Sequence, residues 1–122
     1  MTSNIQVAVR IRPLNQRERS EDHDVIMNWS DSQIVVPNST PYLFDHIFSP
    51  ESNNDNIYSH LAKEIVDDCL NGIHGTVFAY GQTSSGKTFT MNGSQNDPGI
   101  IKNSIRHIFS YIENVVFFSD TQ

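Results

Sequence analysis

A chain of 122 residues holds one domain at most. With 37% hydrophobic and 10% aromatic residues it can form a core, which excludes a disordered tail. A formal net charge of −6 argues against nucleic acid and anionic membrane as main partners, since both select a basic face. No apolar run approaches the roughly 18–20 residues of a membrane span. Met1–Asn4 lack the basic and apolar stretches of a signal peptide. The single cysteine, Cys69, cannot form an internal disulfide and has no metal-ligand neighbour, so it reads as a core thiol in a reduced compartment. The sequons at Asn28, Asn38 and Asn92 are then silent, and the chain reads as cytosolic.

In chain order, Ile5 to Ile11 alternates with period two, and Ile5, Val7, Val9 and Ile11 share one face of a strand. Pro13 ends it. Arg10 and Arg12 project from the opposite face, either solvated or awaiting an anion or a π-face; spacing alone favours solvation. Asn15–Asp24 mixes charges and reads as a solvated loop. Val25–Trp29 and Gln33–Val36 are short strand candidates joined by the turn Ser30-Asp31-Ser32, and 37–41 is a second turn. Tyr42–Phe48 is a further extended piece. Ser52–Asn56 can cap a helix whose apolar face carries Ile57, Leu61, Ile65 and Cys69, with Tyr58, Val66 and Leu70 alongside and Gly72 or Gly75 as terminator.

Thr76-Val77-Phe78-Ala79-Tyr80 then reads as a buried parallel strand. It runs into Gly81-Gln82-Thr83-Ser84-Ser85-Gly86-Lys87-Thr88, which fits the phosphate-loop pattern of Gly, four residues, Gly-Lys-Ser/Thr. Average residue usage gives such a match by accident in about one chain of this length in a few hundred. Each fixed residue has a reason. The glycines allow unusual dihedrals and close approach to a polyphosphate, whose charge the inward amides and the following helix start attract. Lys87 is placed to reach the β- and γ-phosphates, and the Thr88 hydroxyl to ligate Mg²⁺. A plain Gly/Ser turn has no need of Lys and Thr at those positions. The helix continues briefly through Phe89-Thr90-Met91 and stops at Asn92-Gly93-Ser94. A further helix spans about Ile100 to Glu113, on the spacing of Ile101, Ile105, Ile108 and Ile112. Val115–Phe118 reads as the beginning of a strand, and Ser119–Gln122 as a polar end. The five histidines read as solvated or locally hydrogen-bonded, and no Ser/His/Asp or Cys/His arrangement is visible.

Several separated stretches together resemble the kinesin motor domain. Val9-Arg10-Ile11-Arg12-Pro13 is similar to that family's first-strand motif, and Phe44-Asp45-His46-Ile47-Phe48 to its Phe-Asp-x-Val-Phe segment. Asn71 to Met91 is similar to its hallmark run almost without interruption, and Gly99-Ile100-Ile101 to the opening of its next helix. Ser84-Ser85 and the Arg-Pro-Leu-Asn start most resemble the centromere-associated class. The resemblance covers about residues 5–113. It implies an α/β fold of the P-loop NTPase type: three layers, α/β/α, around a central, largely parallel sheet that is here incomplete. It implies ATP and Mg²⁺ as cofactors, microtubule-stimulated hydrolysis coupled to movement, microtubules as partner, a cytoplasmic, cytoskeletal setting and a coiled-coil dimer for the full-length protein. It also places Arg12, Pro13 and Phe89, and less firmly Arg10, near the adenine, where guanidinium and ring atoms pack on a purine face.

The chain departs from the family at Lys102, where proline is common, and loses the likeness after Glu113. Neither switch motif nor the main microtubule-binding surface occurs. Residues 1–122 are therefore expected to be the N-terminal part of a single motor domain, with no catalytic residue identified. The phosphate loop and one metal ligand are present, but the parts that position water are not. With an unpaired sheet edge and an uncovered face, the chain is expected to fold poorly and to hydrolyse ATP weakly or not at all. A different P-loop enzyme, such as a small nucleotide kinase, would need an acceptor site and an arginine lid, and shows no candidate for either. A non-catalytic remnant that binds nucleotide or a protein is the third reading.

Overall fold

The computed structural model describes residues 5–21 and 25–119, with side chains through Val116. His23, the end of the charged stretch, the first four residues and the polar end from residue 120 lie outside the described residues. The chain divides into two compact units, Met1–Ser52 and Asn53–Gln122.

The first unit holds all the described strands. β1 (Ala8–Arg10) pairs in parallel with β5 (His46–Phe48), Val9 opposite Ile47. Asp45 extends that ladder at one end: its backbone N–H donates to Val7 O (3.0 Å) and its carboxylate accepts from Val7 N–H (2.7 Å). The strand expected over residues 5–11 is thus realised as a shorter core with one side-chain-supported end. β2 (Asn28–Trp29), β3 (Gln33–Val35) and β4 (Tyr42–Leu43) form an antiparallel meander through the two predicted turns. Ile11, Ile34 and Phe48 are buried. The charged stretch is not simply a loop. Asn15 caps α1 (Gln16–Ser20): its side chain accepts from Glu18 N–H (2.9 Å), while the Glu18 carboxylate accepts from Asn15 N–H (2.8 Å). This reciprocal box satisfies two N–H groups that a helix start otherwise leaves open.

The second unit is helical. α2 (Asn54–Ile57), capped by Asn53, runs through a π turn (Tyr58–Ala62) into α3 (Lys63–Leu70). The π turn inserts one residue into the helical count and so moves the buried stripe. Of the expected face, Ile57 and the flanking Val66 are buried, joined by Ala62, while Leu61 and Ile65 are half-buried. Cys69 is consequently exposed, and the core-thiol expectation does not hold. Gly72, at φ +86°, ends α3 in a Schellman arrangement: Ile73 N–H donates to Asp68 O and Gly72 N–H to Cys69 O, both at 3.0 Å.

Two strand expectations fail here. Residues 76–80 form no ladder, and Phe78 and Tyr80 are 80% and 95% exposed. A strand is a property of a pair, and no described strand pairs with this segment. Val115–Phe118 instead prolongs α5 (Ile100–Ser119), where the existing helix offers each new residue a hydrogen bond that an unpaired strand would lack. Among the described residues no helix is long and apolar enough to cross a membrane.

Candidate nucleotide-binding site

Residues 81–88 form a tight turn followed at once by a helix. Ser85 N–H donates to Gln82 O (3.2 Å), and α4 (Lys87–Asn92) begins at the next residue but one. Gly86 caps α4 at φ +101°, outside the range comfortable for residues with a Cβ. Ser84 also takes a positive φ, +66°. A non-glycine residue held left-handed is a local strain of the kind that accompanies binding sites. Thr90 N–H donates to Gly86 O (3.0 Å), closing the first helical turn.

Lys87 folds back over this turn. Its ammonium donates to Gly81 O at 2.6 Å and to Gln82 O at 2.8 Å. The loop therefore closes around its own cation, which concentrates positive charge where the backbone turns and where the helix contributes the positive end of its dipole. Thr88 lies on the first turn of α4 and is exposed. Phe89 follows, half-exposed, with its backbone carbonyl accepting from Asn54 Nδ2 (3.1 Å). Gly81, Gln82, Thr83, Ser84, Ser85, Gly86, Lys87, Thr88 and Phe89 thus belong to one continuous turn-and-helix.

Arg10, Arg12 and Pro13 belong to the first unit. The solvated reading of the two cations does not hold. Arg10 Nη2 donates to Ser52 O (3.0 Å). Arg12 makes a bidentate pair with Glu18, Nη1 to Oε2 at 2.7 Å and Nη2 to Oε1 at 2.5 Å. Hydrogen bonding to that carboxylate, with its negative charge, raises the Arg12 pKa further against a smaller effect of burial. Such a fork fixes the guanidinium plane, which a lone solvated arginine would not have. Arg12 and Pro13 line a cleft of about 280 Å³ with Ile11, Met27 and Trp29.

One further cluster lay beyond sequence reasoning. Tyr58 Oη lies 2.8 Å from His107 Nδ1, His107 Nε2 lies 3.1 Å from the Asp67 carboxylate, and Lys63 Nζ donates to Asp67 at 2.7 Å. His107 therefore bridges two helices; it is neither solvated nor locally bonded. Burial raises the Tyr58 pKa, with the Asp67 charge adding to it against a hydrogen bond from Ser104. The Lys63 hydrogen bond lowers that of Asp67. The pairs are far apart in sequence, and no local signal announces them.

A glycine-flanked turn with an inward lysine and a threonine on the first turn of the next helix has the form of the phosphate loop of the P-loop class. The chain belongs to the kinesin motor domain family, whose model matches residues 10–117. Kinesin-related protein 4 of Dictyostelium discoideum is 47% identical over 121 residues, 95% of this chain and 6% of the relative. Kinesin-1 heavy chain of Homo sapiens is 45% identical over 121 residues, 93% of this chain and 13% of the relative. The chloroplastic Kinesin-like protein KIN-7M of Arabidopsis thaliana is 42% identical over 114 residues, 90% and 11% of the two chains. The chain spans about a tenth of the length of these relatives. They are of several kinds and do not single out the centromere-associated class.

Members of this family bind nucleotide, typically with Mg²⁺, and are microtubule-stimulated ATPases. The loop fits the phosphates, on the Gly86 and Ser84 backbone and the Lys87 ammonium just described. It also fits the metal. Mg²⁺ keeps several waters and takes few protein ligands beside phosphate oxygens, so the single Thr88 hydroxyl is an adequate donor. Among the described residues no cluster of three His, Cys, Asp or Glu offers a rival cage.

Proposed function

We propose that this chain is the nucleotide-binding portion of a microtubule motor ATPase, with residues 81–88 holding ATP and Mg²⁺. The observation that carries the reading is the Lys87 ammonium held within its own loop, one residue before Thr88 on the start of α4. Lys87 would exchange its carbonyl partners for phosphate oxygens, the better acceptors for a cation. The backbone amides of Ser84, Gly86 and Lys87 would take the remaining phosphate charge, and the Thr88 hydroxyl would hold Mg²⁺, which supplies electrostatic stabilisation of the transferring phosphoryl group.

The finer features of the reading follow the family. The whole domain is a three-layer α/β/α fold with a central, largely parallel sheet, to which the parallel pair β1–β5 belongs. Arg12, Pro13 and Phe89, and less firmly Arg10, border the base; the Glu18 fork keeps the Arg12 plane fixed for that contact. The partner is the microtubule, and the setting is cytoplasmic and microtubule-associated, with a coiled-coil dimer in the full-length protein. Hydrolysis by this chain alone is feeble, because residues 81–88 serve phosphate and metal and do not orient a water in line.

A fluorescent ATP analogue titrated with and without magnesium tests the reading. Binding is expected to weaken about tenfold when Mg²⁺ is chelated, equivalent to about 1.4 kcal/mol, and Thr88→Ala to remove that magnesium dependence. Equal affinity in EDTA and in magnesium, unchanged by Thr88→Ala, would contradict it.

A further inference from the structure

Asn53 and Asn54 are both polar residues at a helix start, but the structure gives them different work. Asn53 is the ordinary cap, accepting from Asn56 N–H at 2.8 Å. Asn54 is only 1% exposed. Its backbone N–H donates to the Asp97 carboxylate at 2.9 and 3.3 Å. Its side-chain amide donates to two carbonyls, Phe89 O at 3.1 Å in α4 and Asp97 O at 3.0 Å. Asn103 reinforces the same corner, donating from Nδ2 to Pro98 O (3.0 Å) and to Asp55 Oδ1 (2.9 Å).

A buried primary amide is costly unless its hydrogens find acceptors, so this placement is specific. What it holds is α4. That helix has six residues, fewer than an isolated helix needs to persist. Phe89 O lies among the last four carbonyls of α4, where a side-chain donor can tie the helix to its surroundings. Phe89 directly follows Thr88, and the Asn54 bond therefore sets the rotation of α4 about its axis. That rotation decides where the Lys87 and Thr88 side chains stand relative to the loop.

We propose that Asn54, anchored by Asp97, is a positioning residue for the nucleotide loop. The proposal rests on the reading of residues 81–88 as that loop. Neither side chain touches nucleotide; both act by fixing α4.

The test compares Asn54→Ala and Asp97→Asn with Val66→Ala in the 122-residue chain at low temperature. Val66 is buried in α3 and supplies a general loss of stability without a bond to α4. Two readouts are taken at matched fraction folded: affinity for magnesium ATP, and hydrogen exchange of the Thr90 amide, which bonds Gly86 O. Asn54→Ala is expected to weaken affinity about tenfold and to speed Thr90 exchange by about tenfold or more. Asp97→Asn keeps an oxygen acceptor and is expected to lose about threefold in affinity, while Val66→Ala stays within about twofold on both readouts. Should Asn54→Ala fail to fold, Asp97→Asn against Val66→Ala decides. Equal effects of the α4-corner and Val66 variants, or an unprotected Thr90 amide in the unaltered chain, would overturn the proposal. Absence of nucleotide binding by the unaltered chain with Thr90 protected would instead overturn the reading of 81–88, and with it any role for Asn54 in binding.

Discussion

Replacing Gly93 with alanine should damage this chain far more than the same change at Gly72, although both glycines end helices at positive φ. Gly72 sits at φ +86° with nothing within 4 Å of an added Cβ, so Gly72→Ala pays only for the left-handed backbone, about 1 kcal/mol. Gly93 stands at φ +71° and ψ −159°, a region that is essentially glycine-only and costs other residues about 1–3 kcal/mol. Its added Cβ would also lie 2.2 Å from Gly99 N, 2.3 Å from Asp97 O and 2.6 Å from Pro98 C. All three are backbone atoms of the turn that Gly93 bridges through Pro98, so no side chain can swing aside. Relief requires opening that turn, with loss of the Ser94 N–H bond to Asp97 O (2.9 Å) and the Gly99 N–H bond to Asn92 O (3.2 Å). At about 1 kcal/mol each, those bonds bring the total to about 3–5 kcal/mol. Urea unfolding followed by far-UV circular dichroism at 10 °C measures both variants. The expected gap is at least about 2 kcal/mol, a large fraction of the stability of a small domain. A Gly93→Ala chain within about 0.5 kcal/mol of Gly72→Ala, inside the usual scatter of surface changes, would refute the packing of this turn.

Two further outcomes follow from the same structure. The raised pKa of Tyr58 means that folding favours its neutral form, so its contribution is complete below the ordinary tyrosine value of 10.0 and is lost as pH rises through the higher folded value. Tyr58→Phe should flatten the alkaline fall in stability above pH 10, read as melting temperature against pH; an unchanged slope would show that burial of Tyr58 beside Asp67 carries no such linkage. Asn15→Ala should cost about 1 kcal/mol through loss of the α1 cap, and Glu18→Ala more, because Glu18 both completes that box and holds Arg12. Chemical unfolding of the two variants checks the order, and an equal or reversed cost would show that the Arg12–Glu18 pair contributes nothing to stability.

What the sequence made legible was what is local. Residues 81–88 carry their own turn chemistry, and α4 begins and ends where Gly86 and Gly93 place it. The helix face beginning at Ile57, with Val66 on its flank, is visible too, but the π turn is not, and its extra residue centres burial on Ala62 and Val66 in preference to Leu61 and Ile65. Asn15-x-x-Glu18 is a capping signal that a reading of the mixed charges as a solvated loop passes over. Residues 76–80 look like a strand in composition yet need a neighbour to become one. By sequence Asn54 is one more polar cap residue, since nothing there distinguishes an exposed asparagine from one that reaches Phe89 and Asp97 across the fold. The bridge from Tyr58 through His107 to Asp67 was hidden for the same reason.

The central claim is that the loop closed by Lys87 is a binding site for magnesium ATP, and isothermal titration of ATP with Mg²⁺ into the 122-residue chain tests it most directly. The account predicts saturable binding that Lys87→Ala weakens about tenfold or more, the loss of a charge-assisted contact to phosphate. Binding of equal strength in both chains, or none in a chain shown to be folded, would contradict it.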